Sequence, residues 1–188
     1  MTRPISPRLG IAMPKARLAT VSLAGCFGCH MSLLDLDEAL FELAGLVEVD
    51  RSPLTDIRAM KDCDIGFIEG GCANEDNVQV ARLFRQKCRF VCAVGACAVT
   101  GGIPALRNNI PLAELLATSY LRDVADPGIP NDPELPMLLD KVYPVHEVIR
   151  VDHALPGCPP SAAAIALLVK ELLANESVRL PYQELHYD

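Results

Sequence analysis

The chain has 188 residues, 51% of them apolar and 22% charged, a make-up that fits one folded domain of ordinary size and excludes a disordered segment. Its net charge of -7 and pI near 5.1, with no run of Lys or Arg, exclude the phosphate-neutralising footprint of a nucleic-acid binder. No stretch of roughly 18 apolar residues is present to cross a bilayer.

At the N-terminus, Arg3, Arg8, Lys15 and Arg17 precede any acid, and Leu23-Ala24-Gly25-Cys26 has the form of a lipoprotein cleavage box. The apolar run into Cys26 is short and interrupted by Thr20 and Ser22, which suits a strand better than an export signal. Lipid on Cys26 would remove that strand and one thiol. The expectation is therefore an unlipidated chain in the cytoplasm, with residues 1–17 as an extension and 18–188 as a single domain.

Strands are expected at 18–23, 46–49, 64–69, 89–94 and 145–152, where β-branched and apolar residues cluster between breaks. A helix between the first two has Leu33, Leu36, Leu40 and Leu43 on one stripe, with Ser32-Leu33-Leu34-Asp35 in the form of a capping box. A second starts at Asn74 as N-cap, has Glu75 and Asp76 in its first turn and ends near Arg85 and Lys87. The last covers 161–174, with Ile165, Leu168, Val169 and Leu172 together. Strand and helix alternate, which predicts an α/β fold with a doubly wound parallel sheet.

Residues 103–144 break the pattern. Only 112–121 reads as helix, and Pro127, Pro130, Pro133, Pro136 and Pro144 oppose further helix or ladder. An irregular segment this long is uncommon within a compact domain, so it is expected to face a partner, or else to form a mobile surface loop.

Eight cysteines are many for a chain large enough to build a core without disulfides; in a reducing compartment they indicate metal or redox chemistry. Ligands of a parallel sheet sit past the carboxyl ends of its strands. Cys26, Cys29, Cys72, Cys97 and Cys158 follow predicted strands and converge on that edge. Cys63, Cys88 and Cys92 do not, and read as small core residues. Four converging thiols suit either zinc or a 4Fe-4S cluster; a single C-x-x-C with two distant cysteines favours the cluster. A zinc-stabilised binding module and a thiol oxidoreductase using Cys26 and Cys29 stay open. Gly25, Gly28, Gly95 and Gly157 flank the candidates and admit backbone N–H groups to sulfur, and Pro159 and Pro160 are placed to open the last helix. No G-x-G-x-x-G or phosphate-binding loop is present.

Cys26-Phe27-Gly28-Cys29-His30, then Gly95-Ala96-Cys97-Ala98 with Thr100-Gly101-Gly102, then Leu155-Pro156-Gly157-Cys158-Pro159-Pro160 resemble, in this order, the small subunits of nickel-iron hydrogenases, above all those of soluble NAD-reducing enzymes. The resemblance implies a flavodoxin-like fold and one 4Fe-4S cluster on Cys26, Cys29, Cys97 and Cys158, with Cys72 not a ligand. It also implies a large subunit carrying the nickel-iron centre, and flavoprotein and iron-sulfur diaphorase subunits carrying FMN and binding NAD. Membrane-linked members extend further with additional cysteines and carry a twin-arginine signal, neither of which is found here. The related subunit of quinone-reducing complex I opens on adjacent cysteines instead of C-x-x-C. Glu69, at a strand end on the same edge, is expected to tune the cluster or touch the large subunit, or else to bind nearby backbone N–H groups, and His30 to hydrogen-bond a sulfur or simply begin the helix.

Overall fold

The computed structural model describes residues 15–174 and 178–185. Strand β1 (Ala16–Ser22) pairs in parallel with β2 (Val47–Val49) on one side and β3 (Cys63–Glu69) on the other. Beyond β3 lie β5 (Cys88–Val94) and β7 (His153–Leu155), giving a five-stranded parallel sheet of order β2-β1-β3-β5-β7. Outside it, β4 (Cys72–Asn74) and β6 (Leu138–Tyr143) form an antiparallel pair with Cys72 opposite Tyr143.

The sheet is covered on both faces because its central strands are apolar on both. On one side, Leu18, Ile65, Phe67, Cys92 and Val94 meet α1 (Gly28–Leu34), α2 (Glu38–Leu46) and α7 (Ala162–Ala174) through Leu33, Leu43, Ile165 and Leu168. On the other, Ala19, Ile68, Val91 and Ala93 meet α3 (Glu75–Lys87), α4 (Ala96–Thr100) and α6 (Val145–Val148) through Ala81, Phe84, Ala98 and Val145. This is the doubly wound arrangement expected from the alternation of elements.

The helix signals read from sequence hold for α3. The Asn74 side chain accepts from the Asn77 N–H at 2.8 Å, acids occupy the first turn, and Arg85 and Lys87 the last. For α7, Ser161 Oγ accepts from the Ala164 N–H at 3.1 Å. Pro159 and Pro160 therefore precede the helix rather than open it.

Several boundaries differ from expectation. The leucine stripe after β1 is two helices, because Asp37 takes a positive φ of 48° and breaks the turn between them. Ser32 lies inside α1 and caps nothing; its hydroxyl donates to the Pro160 carbonyl at 2.6 Å. The run 145–152 is not a strand. Pro144 precedes a short helix in which Val145 and Ile149, four apart, are both buried, and the last strand comes later, at β7. Ala16 and Arg17, assigned to the extension, belong to β1. Within 103–144, besides α5 (Leu112–Tyr120), the chain forms a 3-10 segment at Ile103–Asn109 and the strand β6. The pairing of β6 with β4 is non-local, and no alternation in either segment announced it. The proposed extension before Lys15 lies outside the described residues. Among the described residues no helix is long and apolar enough to cross a membrane.

Candidate metal centre

With β2 and β3 on opposite sides of β1, a crevice opens past the carboxyl ends of the sheet. Three loops meet there: the one after β1 with Cys26 and Cys29, the one after β5 with Cys97, and the one after β7 with Cys158. Backbone hydrogen bonds fix their register. Ala24 and Gly71 exchange bonds of 3.0 and 2.9 Å, which hold the loop after β1 against the loop after β3. Gly95 N–H to Leu155 O and Ala96 N–H to Gly157 O, both 2.8 Å, join the loops after β5 and β7. The Ser32–Pro160 bond then ties the first cysteine loop to the last.

Glycine makes room for the sulfurs. A Cβ at Gly28 would stand 3.1 Å from Cys26 Sγ, one at Gly102 would stand 3.0 Å from Cys97 Sγ, and one at Gly95 would collide with Cys29 Sγ. Gly95 also has φ of 84°, a conformation side chains disfavour. The cradle therefore depends on missing side chains at three of the four thiols.

Cys29 is driven up to about 12, first by burial, then by the charges of Glu69, Cys97, Cys26 and Cys158. Cys29 thus feels the charges of the other three candidate cysteines, and Cys97 those of Cys158 and Cys26. Burial raises Cys97 too, against a hydrogen bond from the Ile103 backbone that lowers it. Cys26 and Cys158 are exposed, while Cys29 and Cys97 are half-buried, so the group faces outward from the crevice. No three His, Cys, Asp or Glu side chains among the described residues are gathered closely enough to grip one metal ion.

Cys72 is fully buried at the start of β4 and is absent from the groups that act on Cys29; burial lifts its thiol to about 11. Cys63, Cys88 and Cys92 are 6%, 4% and 0% exposed, core residues as read from sequence. Glu69 is buried, accepts from the His30 backbone N–H at 3.1 Å and contacts His30 Nδ1. From His30 Nε2 the chain of bonds runs to Thr20 Oγ1 at 2.9 Å and on to Ser52 Oγ at 2.7 Å, all buried. His30 thus turns toward Glu69 and Thr20, and its ring stacks on Phe27. Thr20 and Ser52 carried no sequence signal, and that of Ser32 pointed to a cap, because each acts through a partner distant in the chain. A cleft of about 350 Å³ along β7, lined by Val99, His146, Asp152 and His153, contains none of the four cysteines.

A doubly wound sheet with four candidate cysteines past its carboxyl edge defines a thiol-rich domain of the flavodoxin-like class. The chain belongs to the family described as NADH ubiquinone oxidoreductase, 20 Kd subunit, which matches residues 26–172. It is 42% identical, over 93% of its length and 86% of the relative's, to the NAD-reducing hydrogenase HoxS subunit delta of Cupriavidus necator. It is 36% identical to a subunit of the F420-non-reducing hydrogenase of Methanothermobacter marburgensis, over 89% of this chain but 56% of that longer one. Among solved structures, a chain of an NAD+-reducing [NiFe]-hydrogenase in the H2-reduced state superposes with a TM-score of 0.91 at 50% identity, covering 93% of this chain and 100% of that one. A [NiFeSe] hydrogenase from Desulfomicrobium baculatum shares the fold alone, with a TM-score of 0.55 at 16% identity.

Proposed function

We propose that this chain is the electron-transfer small subunit of a soluble, cytoplasmic, NAD-reducing nickel-iron hydrogenase. Cys26, Cys29, Cys97 and Cys158 would hold one 4Fe-4S cluster, which supplies one-electron transfer when bound. The observation that carries this reading is the convergence of these four cysteines, from three loops, in a crevice cleared by Gly28, Gly95 and Gly102. One C-x-x-C joined by two distant single cysteines, rather than two C-x-x-C knuckles, supports a cluster over zinc.

The chain's own residues set position and charge. Ser32 and the backbone bonds at Gly71, Gly95 and Gly157 fix the relative places of the thiols, and the Ile103 N–H steadies Cys97. The Glu69 carboxylate places negative charge beside Cys29 and anchors the first turn of α1 through His30. Hydrogen cleavage would belong to a large subunit bearing the nickel-iron centre. NAD reduction would belong to a flavoprotein and iron-sulfur diaphorase unit bearing FMN. Residues 103–144 would face these partners, an assignment supported by Ile103, Leu106 and Met137, which are exposed by 71%, 66% and 66%.

The test is anaerobic purification of the chain with whatever binds it, followed by iron, nickel and zinc analysis and an EPR spectrum of the reduced sample. About four irons per chain with a reduced-cluster signal, and nickel following a larger subunit, are expected. One zinc with no signal would replace this reading with a structural zinc module.

A further inference from the structure

At the opposite edge of the sheet from the candidate centre, two cysteines begin neighbouring strands. Cys63 is the first residue of β3, Cys88 the first of β5, and the two are direct partners in the parallel ladder. Neighbouring strands lie about 4.8 Å apart, within the roughly 4.4–6.8 Å between Cα atoms that a disulfide spans. Both side chains enter the same buried cluster, beside Phe84 and Val91. Cys63 Sγ donates to the Lys61 carbonyl at 3.4 Å.

The surroundings keep the pair together. The residue before each cysteine belongs to one ion pair, Lys87 Nζ to Asp62 Oδ1 at 2.9 Å, which clamps the two strand starts. Arg85 Nη2 donates to the Cys88 carbonyl at 2.8 Å and holds that strand start from the other side. Gly66 supplies the space for the second sulfur, since a Cβ there would stand 2.5 Å from Cys88 Sγ. The dithiol lies outside the metal centre, and nothing in the proposed electron transfer uses it.

We propose that Cys63 and Cys88 form a reversible disulfide site that takes electrons to a low-molecular-mass disulfide such as oxidised glutathione. Cys63, whose thiol burial raises to about 11, first loses its proton; its thiolate then attacks one sulfur of that disulfide, forming a mixed disulfide and releasing one thiolate. Cys88, losing its proton, then attacks Cys63 Sγ; the Cys63–Cys88 bond forms and the second thiolate leaves. Two protein thiols are oxidised, one small disulfide is reduced to two thiols, and the two protons end on them. The product bolts together the strands whose far ends lead to Glu69 and Cys97. Because this inference rests on strand pairing, it stands or falls independently of the cluster assignment.

The test uses the chain purified anaerobically with its bound partners and titrated with mixtures of reduced and oxidised glutathione. Each sample is acid-quenched, alkylated, digested with trypsin and examined by mass spectrometry. The expected product joins the tryptic peptide beginning at Asp62 to the Cys88-Arg89 dipeptide, about 2 Da lighter than the two free peptides together, with fragmentation locating the bond at Cys63 rather than Cys72. It should form at mixtures that leave Cys26, Cys29, Cys97 and Cys158 reduced or cluster-bound, and dithiothreitol should reverse it. Cys88→Ser should instead trap glutathione on Cys63, and Cys63→Ser should abolish both products. The proposal is overturned if Cys63 and Cys88 remain fully alkylated after the other cysteines have oxidised, or if wild-type Cys63 accumulates glutathione without passing it to Cys88.

Discussion

Three of the four thiols of the candidate centre depend on a particular glycine. Gly95 is the most demanding of these positions, because a methyl there meets Cys29 Sγ and the backbone holds φ at 84°. Gly95→Ala should reduce bound iron per chain at least fivefold, read by iron analysis, while far-ultraviolet circular dichroism stays native; unchanged iron would show that the sulfur has room to move. Glu69 acts through charge. Its carboxylate is the largest contribution after burial to the raised Cys29 thiol, so it opposes any added negative charge there. Glu69→Gln keeps an acceptor for the His30 N–H but removes that charge, and should raise the cluster midpoint potential by tens of millivolts in a redox titration followed by EPR. An unchanged potential and unchanged partner affinity would leave Glu69 with a structural role alone. The candidate cysteines stand out in the sequence because each falls in a short motif containing glycine or proline. The bonds that position them were not, since Ser32–Pro160 and Thr20–Ser52 join residues that only the folded sheet brings together.

Local signals succeeded where a helix end is set by its own side chains. Asn74 caps α3 as its sequence suggests, and Asn74→Ala should cost about 1 kcal/mol, measured by chemical denaturation. No change would mean that the orphaned Asn77 N–H finds another acceptor. Signals failed where tertiary context decides. The run from Val145 to Val151 places apolar residues at spacings that fit either a strand or a helical turn; Pro144 and burial of Val145 with Ile149 select the turn. The parallel strands also make stability depend on pH. Burial lifts the Cys88 thiol from its ordinary 9.0 to about 12, and the nearby Cys63 adds to this. A thiol that holds its proton more tightly when folded stabilises fully below pH 9, and that contribution disappears as pH climbs toward 12. Under reducing conditions the denaturation midpoint should therefore fall across pH 9 to 11, and Cys88→Ala should flatten the fall. An identical slope in the variant would assign the alkaline loss to other groups.

At the scale of the whole molecule, the candidate centre and the irregular segment form one surface. The 3-10 turn at Ile103–Asn109 follows directly on the Cys97 loop, where the Ala105 N–H donates to Gly101 O at 3.1 Å. Arg107 fastens the same turn to β6 and to Ala73 through three carbonyls. The exposed Ile103 and Leu106 are thus presented on an anchored scaffold beside thiols that are themselves partly exposed. Burying such apolar side chains against a second chain supplies the driving force for association and would cover the crevice at the same time. Replacing Ile103 and Leu106 together with Glu should reduce the copurifying large subunit at least tenfold. Stability of the isolated chain should change by no more than about 0.5 kcal/mol per site, because both side chains already face water. Phe41→Glu, on α2 and 81% exposed, is the matched control and should retain the partner. Wild-type recovery of the large subunit with the Ile103/Leu106 double variant would move the interface elsewhere on the molecule, whereas loss with Phe41→Glu alone would place it on α2.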